Sequence, residues 1–117
     1  MQYDIQKRTF DFGLQVVKFS NQMPETQSGR TLCRQLLRSG TFIGANVEEA
    51  EAAFTKDDFA YKMNIALKEA RETHYWLRLI KESNLVHFEK YEPMIGECEE
   101  LKKILGAIVS KVRRKAK

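Results

Sequence analysis

Histidine, cysteine, proline and glycine are all scarce in this 117-residue chain, and each scarcity closes a route. Cys33 and Cys98 are too few for a disulfide framework and lack the spacing of a metal-ligand pair. Both fall in helical patterning, which suits reduced, partly buried thiols. The histidines are His74 and His87. A di-metal carboxylate centre in a helical bundle uses Glu-x-x-His on two helices, but Arg71 and Asn84 stand three residues before them. A nucleophilic dyad of Cys98 and His74 would need an activating base, an orienting group and an oxyanion site, and none is legible. The six glycines are isolated, and no GxxxxGK[ST], GxGxxG or GxSxG loop occurs. No apolar run is long enough to span a bilayer, and the opening MQYDIQKRTF lacks the basic-then-apolar order of a signal peptide. The expectation is a cytoplasmic protein of one domain, 1–117, with no catalytic residue, metal, cofactor or membrane partner.

Charge of one sign is missing from the end of the chain. Lys111, Arg113, Arg114, Lys115 and Lys117 have no acid among them, whereas the preceding 110 residues carry fifteen basic and sixteen acidic side chains. The net charge of +4 therefore belongs to the C-terminal segment. Such a segment fits a polyanion such as RNA, and it equally fits a solvated helix end whose dipole favours cations.

What is present is helical periodicity almost throughout. The breaks predict an all-α, up-down-up-down antiparallel four-helix bundle with helices at about 4–21, 27–53, 56–83 and 88–114. Asp4 and Thr55 read as N-caps, Asp58 completes a near capping box, and Pro93 is tolerated in or near a first turn. Core stripes are expected at Tyr3, Phe10, Leu14 and Val17 on helix 1 and at Leu32, Leu36, Ile43, Val47, Ala50 and Phe54 on helix 2. Helix 3 offers Phe59, Met63, Ala66, Ala70, Thr73, Leu77 and Ile80; helix 4 offers Met94, Cys98, Leu101, Leu105, Ile108 and Val112.

Apolar residues are then left over. Ile5, Phe12, Val16 and Phe19 lie nearly opposite the first stripe of helix 1, and Tyr61, Ile65, Trp76 and Leu79 lie on the far side of helix 3. One bundle cannot bury both sides of two helices, and large exposed apolar patches mark interfaces. These eight residues are the expected homo-oligomer interface.

Helix 2 holds polar residues close to its buried stripe. Ser39, Asn46 and Glu49 fall within about 60° of the stripe centre at 100° per residue. Buried polar groups are costly unless paired. With helices 2 and 3 antiparallel, Glu49 comes level with about residue 61. A semi-buried Glu49–Lys62 pair is expected, with Asn46 bonding across to helix 3 or 4. Glu69 and Glu72 lie between the core face and the second apolar face of helix 3; Lys68 can pair with Glu72 within the helix, in the weaker order, and Arg71 and Arg78 are available for pairing across subunits.

The string QLLRSGTFIGANVEEA, followed by DFAYKMNIALKEARETHYWLRLI, resembles the bacterial four-helix bundle proteins first noticed as products of intervening sequences in 23S ribosomal RNA genes, some of them labelled S23-type ribosomal proteins. Gln35, Arg38, Ser39, Ile43, Ala45, Asn46, Val47 and Glu49 fit the first family block. Ile65 to Ala70, Glu72, Thr73 and Tyr75 to Leu77 fit the second. Phe42 stands where the family commonly has a small serine, and Ala50 where glycine is commoner. The resemblance implies structural roles for Gln35, Arg38, Ser39, Asn46, Glu49, Glu69, Glu72 and Trp76, and a homopentamer. It also implies kinship with the accessory protein of diversity-generating retroelements, which binds a reverse transcriptase and nucleic acid. It implies no enzymatic activity.

Two functions are expected from this. One is a non-enzymatic oligomeric bundle that binds RNA or a ribonucleoprotein through Lys111, Arg113, Arg114, Lys115 and Lys117. The alternative is a protein-interaction scaffold, such as an accessory subunit docking a reverse transcriptase.

Overall fold

Helix boundaries follow from local chemistry. Thr26 and Thr55 hold extended backbone angles and accept hydrogen bonds from the amides of Gly29 (3.1 Å) and Asp58 (3.0 Å), satisfying donors that a helix start leaves open. Asn84 ends a helix in the left-handed region, φ 58° and ψ 29°, which asparagine tolerates. The computed structural model describes the backbone of residues 2–116 and the side chains of residues 5–114. Its helices are α1 (Gln2–Ser20), α2 (Gln27–Glu51), α3 (Lys56–Ser83) and α4 (Glu92–Ala116), with a 3-10 turn at Phe88–Tyr91 before α4. Among the described residues there is no strand.

The fold is an all-α antiparallel four-helix bundle measuring 47 × 21 × 20 Å, with α1 on α2, α2 on α3, α3 on α4 and α4 closing on α1. Pro93 sits in the first turn of α4, where a missing amide costs no helical bond. α1 begins before Asp4, so that residue lies within the helix and is not its cap. α2 stops at Glu51, which leaves Phe54 fully exposed in the connection and not at the end of the core stripe. Near the end of α4, Val109 is buried while Ile108 and Val112 are half-buried, so the stripe runs 98, 101, 105, 109.

The main correction concerns α1, whose two faces are inverted relative to the sequence expectation. Ile5, Phe12, Val16 and Phe19 are buried in the core, while Phe10, Leu14 and Val17 are 60, 45 and 41% exposed. Ile5, Phe12, Val16 and Phe19 therefore belong to this bundle's own interior and not to an oligomer interface. Three contacts commit that face inward. Thr9 continues the spacing 5, 9, 12, 16, 19, and its hydroxyl is satisfied by the Ile5 carbonyl at 2.8 Å, so it does not interrupt the stripe. Gly40 receives Val16: a Cβ there would lie 2.8 Å from Val16 Cγ2 and force α1 off α2. Phe19 packs edge-on against Tyr91 (centroids 4.5 Å) and Phe88 (5.9 Å), tying α1 to the turn that feeds α4.

Candidate nucleic-acid interface and assembly faces

The residues of the two sequence blocks meet along the α2–α3 seam. Arg38 donates to Glu69 Oε1 at 3.2 Å and to Gln35 Oε1 at 3.4 Å, and it pairs with Glu72. Trp76 Nε1 donates to the same Glu72 carboxylate at 3.0 Å. One arginine thus binds two carboxylates one helical turn apart, a use of its planar fork that lysine could not duplicate. Below this network, in the buried interior, Thr73 donates to the Glu69 carbonyl at 2.7 Å, and its oxygen lies within hydrogen-bond distance of Ser39 Oγ, at 2.9 Å. Each buried hydroxyl therefore has a partner.

Glu69 and Glu72 are paired within the chain by Arg38, where the sequence suggested pairing across subunits with Arg71 and Arg78. The network was missed although a signal for it exists: the antiparallel register that sets Glu49 level with residue 61 also sets Arg38 level with Glu72. The Lys62–Glu49 bond is present at 2.7 Å but lies in the open, with Glu49 exposed. That bond and Glu49's charge raise the Lys62 pKa above its ordinary value. Asn46 does not cross to another helix. Its amide donates to the Phe42 carbonyl at 2.8 Å, one turn back in α2, because its position on the flank faces solvent more than α3.

At the C-terminal end of α4, Lys111, Arg113 and Arg114 are exposed. Arg114 reaches only Ser110 Oγ, at 3.4 Å. The Lys115 side chain and Lys117 lie outside the described residues. The antiparallel order brings this end beside the α2–α3 connection, with Phe54 exposed and Asp57 and Asp58 in the first turn of α3.

Among the described residues, large exposed apolar side chains gather on α1 and α3, with Phe42 of α2 and Phe54 standing apart. Phe10, Leu14 and Val17 border a groove of about 320 Å³ between α1 and α2, floored by Gly13, Thr41 and Gly44. On α3, Tyr61 and Leu79 are exposed, and Ile65 and Trp76 are half-buried. The surplus of apolar faces expected on helices 1 and 3 is thus present, with the other face of α1 supplying it.

Acid–base and thiol chemistry finds little support. Cys98 is buried and donates to the Ala70 carbonyl at 3.4 Å; burial pushes its pKa up to about 12, which suppresses the thiolate. His74 lies 3.3 Å from Glu99 Oε2 and 3.4 Å from Lys102 Nζ. Burial, then the Lys102 charge, lowers its pKa, with Glu99 opposing and Arg78 adding to the lowering. Among the described residues no group of three or more His, Cys, Asp or Glu is placed to hold a metal ion. No described helix is long and apolar enough to cross a membrane.

Fold and surfaces together define a small antiparallel helical bundle with a polar-locked α2–α3 seam and unpaired apolar faces on α1 and α3. Residues 1–107 match the family model described as 23S rRNA-intervening sequence protein, and the chain belongs to that family. It is also similar to a crystal structure from Bacteroides thetaiotaomicron VPI-5482, a protein with unknown function from the S23 ribosomal protein family. The two are 37% identical with a TM-score of 0.85, over 93% of this chain and 97% of that one. No curated protein matches the chain.

Proposed function

We propose that the chain is a non-enzymatic, cytoplasmic, homo-oligomeric bundle that binds RNA or a ribonucleoprotein, with the cations at the end of α4 as a contact. The observation that carries this is the open apolar stripe Phe10–Leu14–Val17, which one bundle leaves exposed and a second copy would cover. Its counterpart is the outer side of α3 at Tyr61, Ile65, Trp76 and Leu79. Two different faces in contact make a head-to-tail interface, which closes into a ring when the rotation permits. Five copies are the expected number. A ring would multiply Lys111, Arg113 and Arg114, so that weak single contacts add to a strong polyanion field.

Light scattering on the eluting protein tests the assembly, with the mass of five chains expected. A monomer would overturn it. Phe10→Asp should break the ring while leaving helix content intact. Titration of a 23S ribosomal RNA fragment across salt tests the ligand; binding should weaken steeply as salt rises. Absent or salt-insensitive binding would sink the RNA assignment.

One observation favours the scaffold alternative. The family match ends at residue 107, short of every cation from Lys111 onward. An activity common to the family would then reside on the body of the bundle, which would dock a protein such as a polymerase.

A further inference from the structure

The body of the bundle carries a second cationic surface, away from the end of α4. On α3, Lys68, Arg71, Tyr75 and Arg78 are exposed. Residues seven apart differ by only about 20° around a helix. Lys68 and Tyr75 therefore form one row, and Arg71 and Arg78 form the next. The second row passes through His74, which touches Glu99 and Lys102 of α4 and so marks the α4 side of the helix. None of Lys68, Arg71 and Arg78 has an ion-pair partner among the described residues.

The nearby acids are mostly committed elsewhere. Glu69 and Glu72 are bound by Arg38 on the α2 flank, where Glu72 adjoins Lys68 but has its charge taken by Arg38, and Glu99 sits between His74 and Lys102. Glu82, one turn beyond Arg78, is the exposed acid at the end of the rows. Burial is the first cause of the lowered His74 pKa, and the charges of Lys102 and Arg78 add to it against Glu99.

An aromatic ring lies within this charge. Tyr75 is 47% exposed, Trp76 packs edge-on against it at 5.1 Å, and the Arg78 guanidinium lies 5.8 Å from its centroid. Trp76 is itself held by Glu72, so the ring is braced. A braced, solvent-facing ring among unpaired cations is the arrangement that binds unpaired bases: cations take phosphates and the ring takes a base face. An acidic protein surface would use the cations and leave the ring without a role.

We propose that the α4-side edge of α3, built from Lys68, Arg71, Tyr75 and Arg78 with Lys102 of α4 and lying beside the Tyr61–Leu79 row that a second copy would cover, is a docking track for an unpaired RNA strand. It rests on the RNA assignment above but places base contact on α3 and not at the end of α4. It also changes the recognised form: a stacking ring selects unpaired over duplex RNA, which phosphate contact alone does not.

The test is fluorescence anisotropy of a labelled twenty-nucleotide oligouridylate, and of an RNA duplex of equal length, on the full chain across a salt series. Arg71→Gln/Arg78→Gln should weaken single-strand binding at least tenfold and reduce the salt slope by about 1.4, at about 0.7 per lost phosphate contact. Tyr75→Leu should weaken single-strand binding about tenfold, leave the salt slope unchanged and leave duplex binding unaffected; Tyr75→Trp should restore it. Full retention of binding by both variants, with loss in Arg113→Gln/Arg114→Gln, would overturn the track and keep the α4 contact. No binding by the wild-type chain would overturn both. Equal displacement by polyglutamate, with Tyr75→Leu silent, would assign the face to an acidic protein and overturn the RNA track.

Discussion

The two flanks of α3 handle charge in opposite ways. On the α2 side, Glu69 and Glu72 are drawn to one arginine and roofed by Trp76, above a buried Ser39–Thr73 pair. On the α4 side, Arg71 and Arg78 form no ion pair among the described residues, and the polar contacts are His74 and Lys102 sharing Glu99, and Lys81 with Glu92 at 2.8 Å. A seam that sets register needs each polar group matched, since an unmatched one costs more than a matched one contributes. A surface open to a ligand needs the reverse, with charge left unneutralised. One helix thus offers a locked flank and an available one.

The sharpest break in that contrast is Arg38→Met. It strips the cation from two carboxylates and from the Trp76 brace. Complete burial would put the cost at several kcal/mol, but Arg38 is 39% exposed, so the expected loss is about 1–2 kcal/mol. Urea denaturation measures it. Lys68→Met on the other flank should leave the midpoint unchanged, and a loss equal to that of Arg38→Met would erase the distinction between the flanks.

Next in size is a difference between thiols. Cys98 lies in the α3–α4 interior with its pKa pushed up to about 12, whereas Cys33 is half-buried beside the Ser20 carbonyl. A disulfide reagent at pH 8 should label Cys33 at least tenfold faster than Cys98 in the native protein, with equal rates in denaturant. The folded Cys98 pKa is raised from 9.0, so its contribution to stability is complete below that value and is lost as pH rises toward about 12.

His74 contributes a smaller effect of the opposite sign. Its pKa is lowered in the fold, so its contribution is present above the ordinary value of 6.5 and is lost as pH falls through the folded value. Unfolding midpoints measured from pH 7.5 to 5 should decline, and the decline should shrink in His74→Gln. Lys102→Met should also shrink it, because Lys102 is the charge that most opposes protonation.

How much of this was legible depended on whether one helix or two decided the matter. The four helices, the Thr55 cap and the core stripe of α3 follow from periodicity and local hydrogen bonding, which one segment contains. The inward face of α1 does not. Both its faces are apolar, and the choice between them is made by Gly40 opposite Val16 and by Phe88 and Tyr91 opposite Phe19, contacts that exist only after packing. The Arg38 network was half legible, because register pairs Arg38 with Glu72. What register cannot supply is that one guanidinium spans both Glu69 and Glu72. The exposed row of Lys68, Arg71, Tyr75 and Arg78 lay in plain view as residues and became a surface only once Glu69 and Glu72 were seen to be paired with Arg38.

The smallest expected effect separates a pairing that sets register from one that merely forms. Lys62 and Glu49 meet across the same α2–α3 seam as Arg38, at 2.7 Å, and the hydrogen bond to Glu49, then its charge, raises the Lys62 pKa. Geometry alone would rank this bond with the Arg38 contacts. Solvent removes the equivalence at the carboxylate: Glu49 is 60% exposed, against 16% for Glu69 and 36% for Glu72, so water competes for its oxygens although Lys62 itself is half-buried. Lys62→Met should therefore leave the urea midpoint where it was, at low and at high salt alike. A salt-sensitive loss in Lys62→Met comparable to that of Arg38→Met would show the whole seam acting as one charged unit. No change would confine the register to Arg38, Ser39 and Thr73, the three positions where the seam is closed to water or roofed by Trp76.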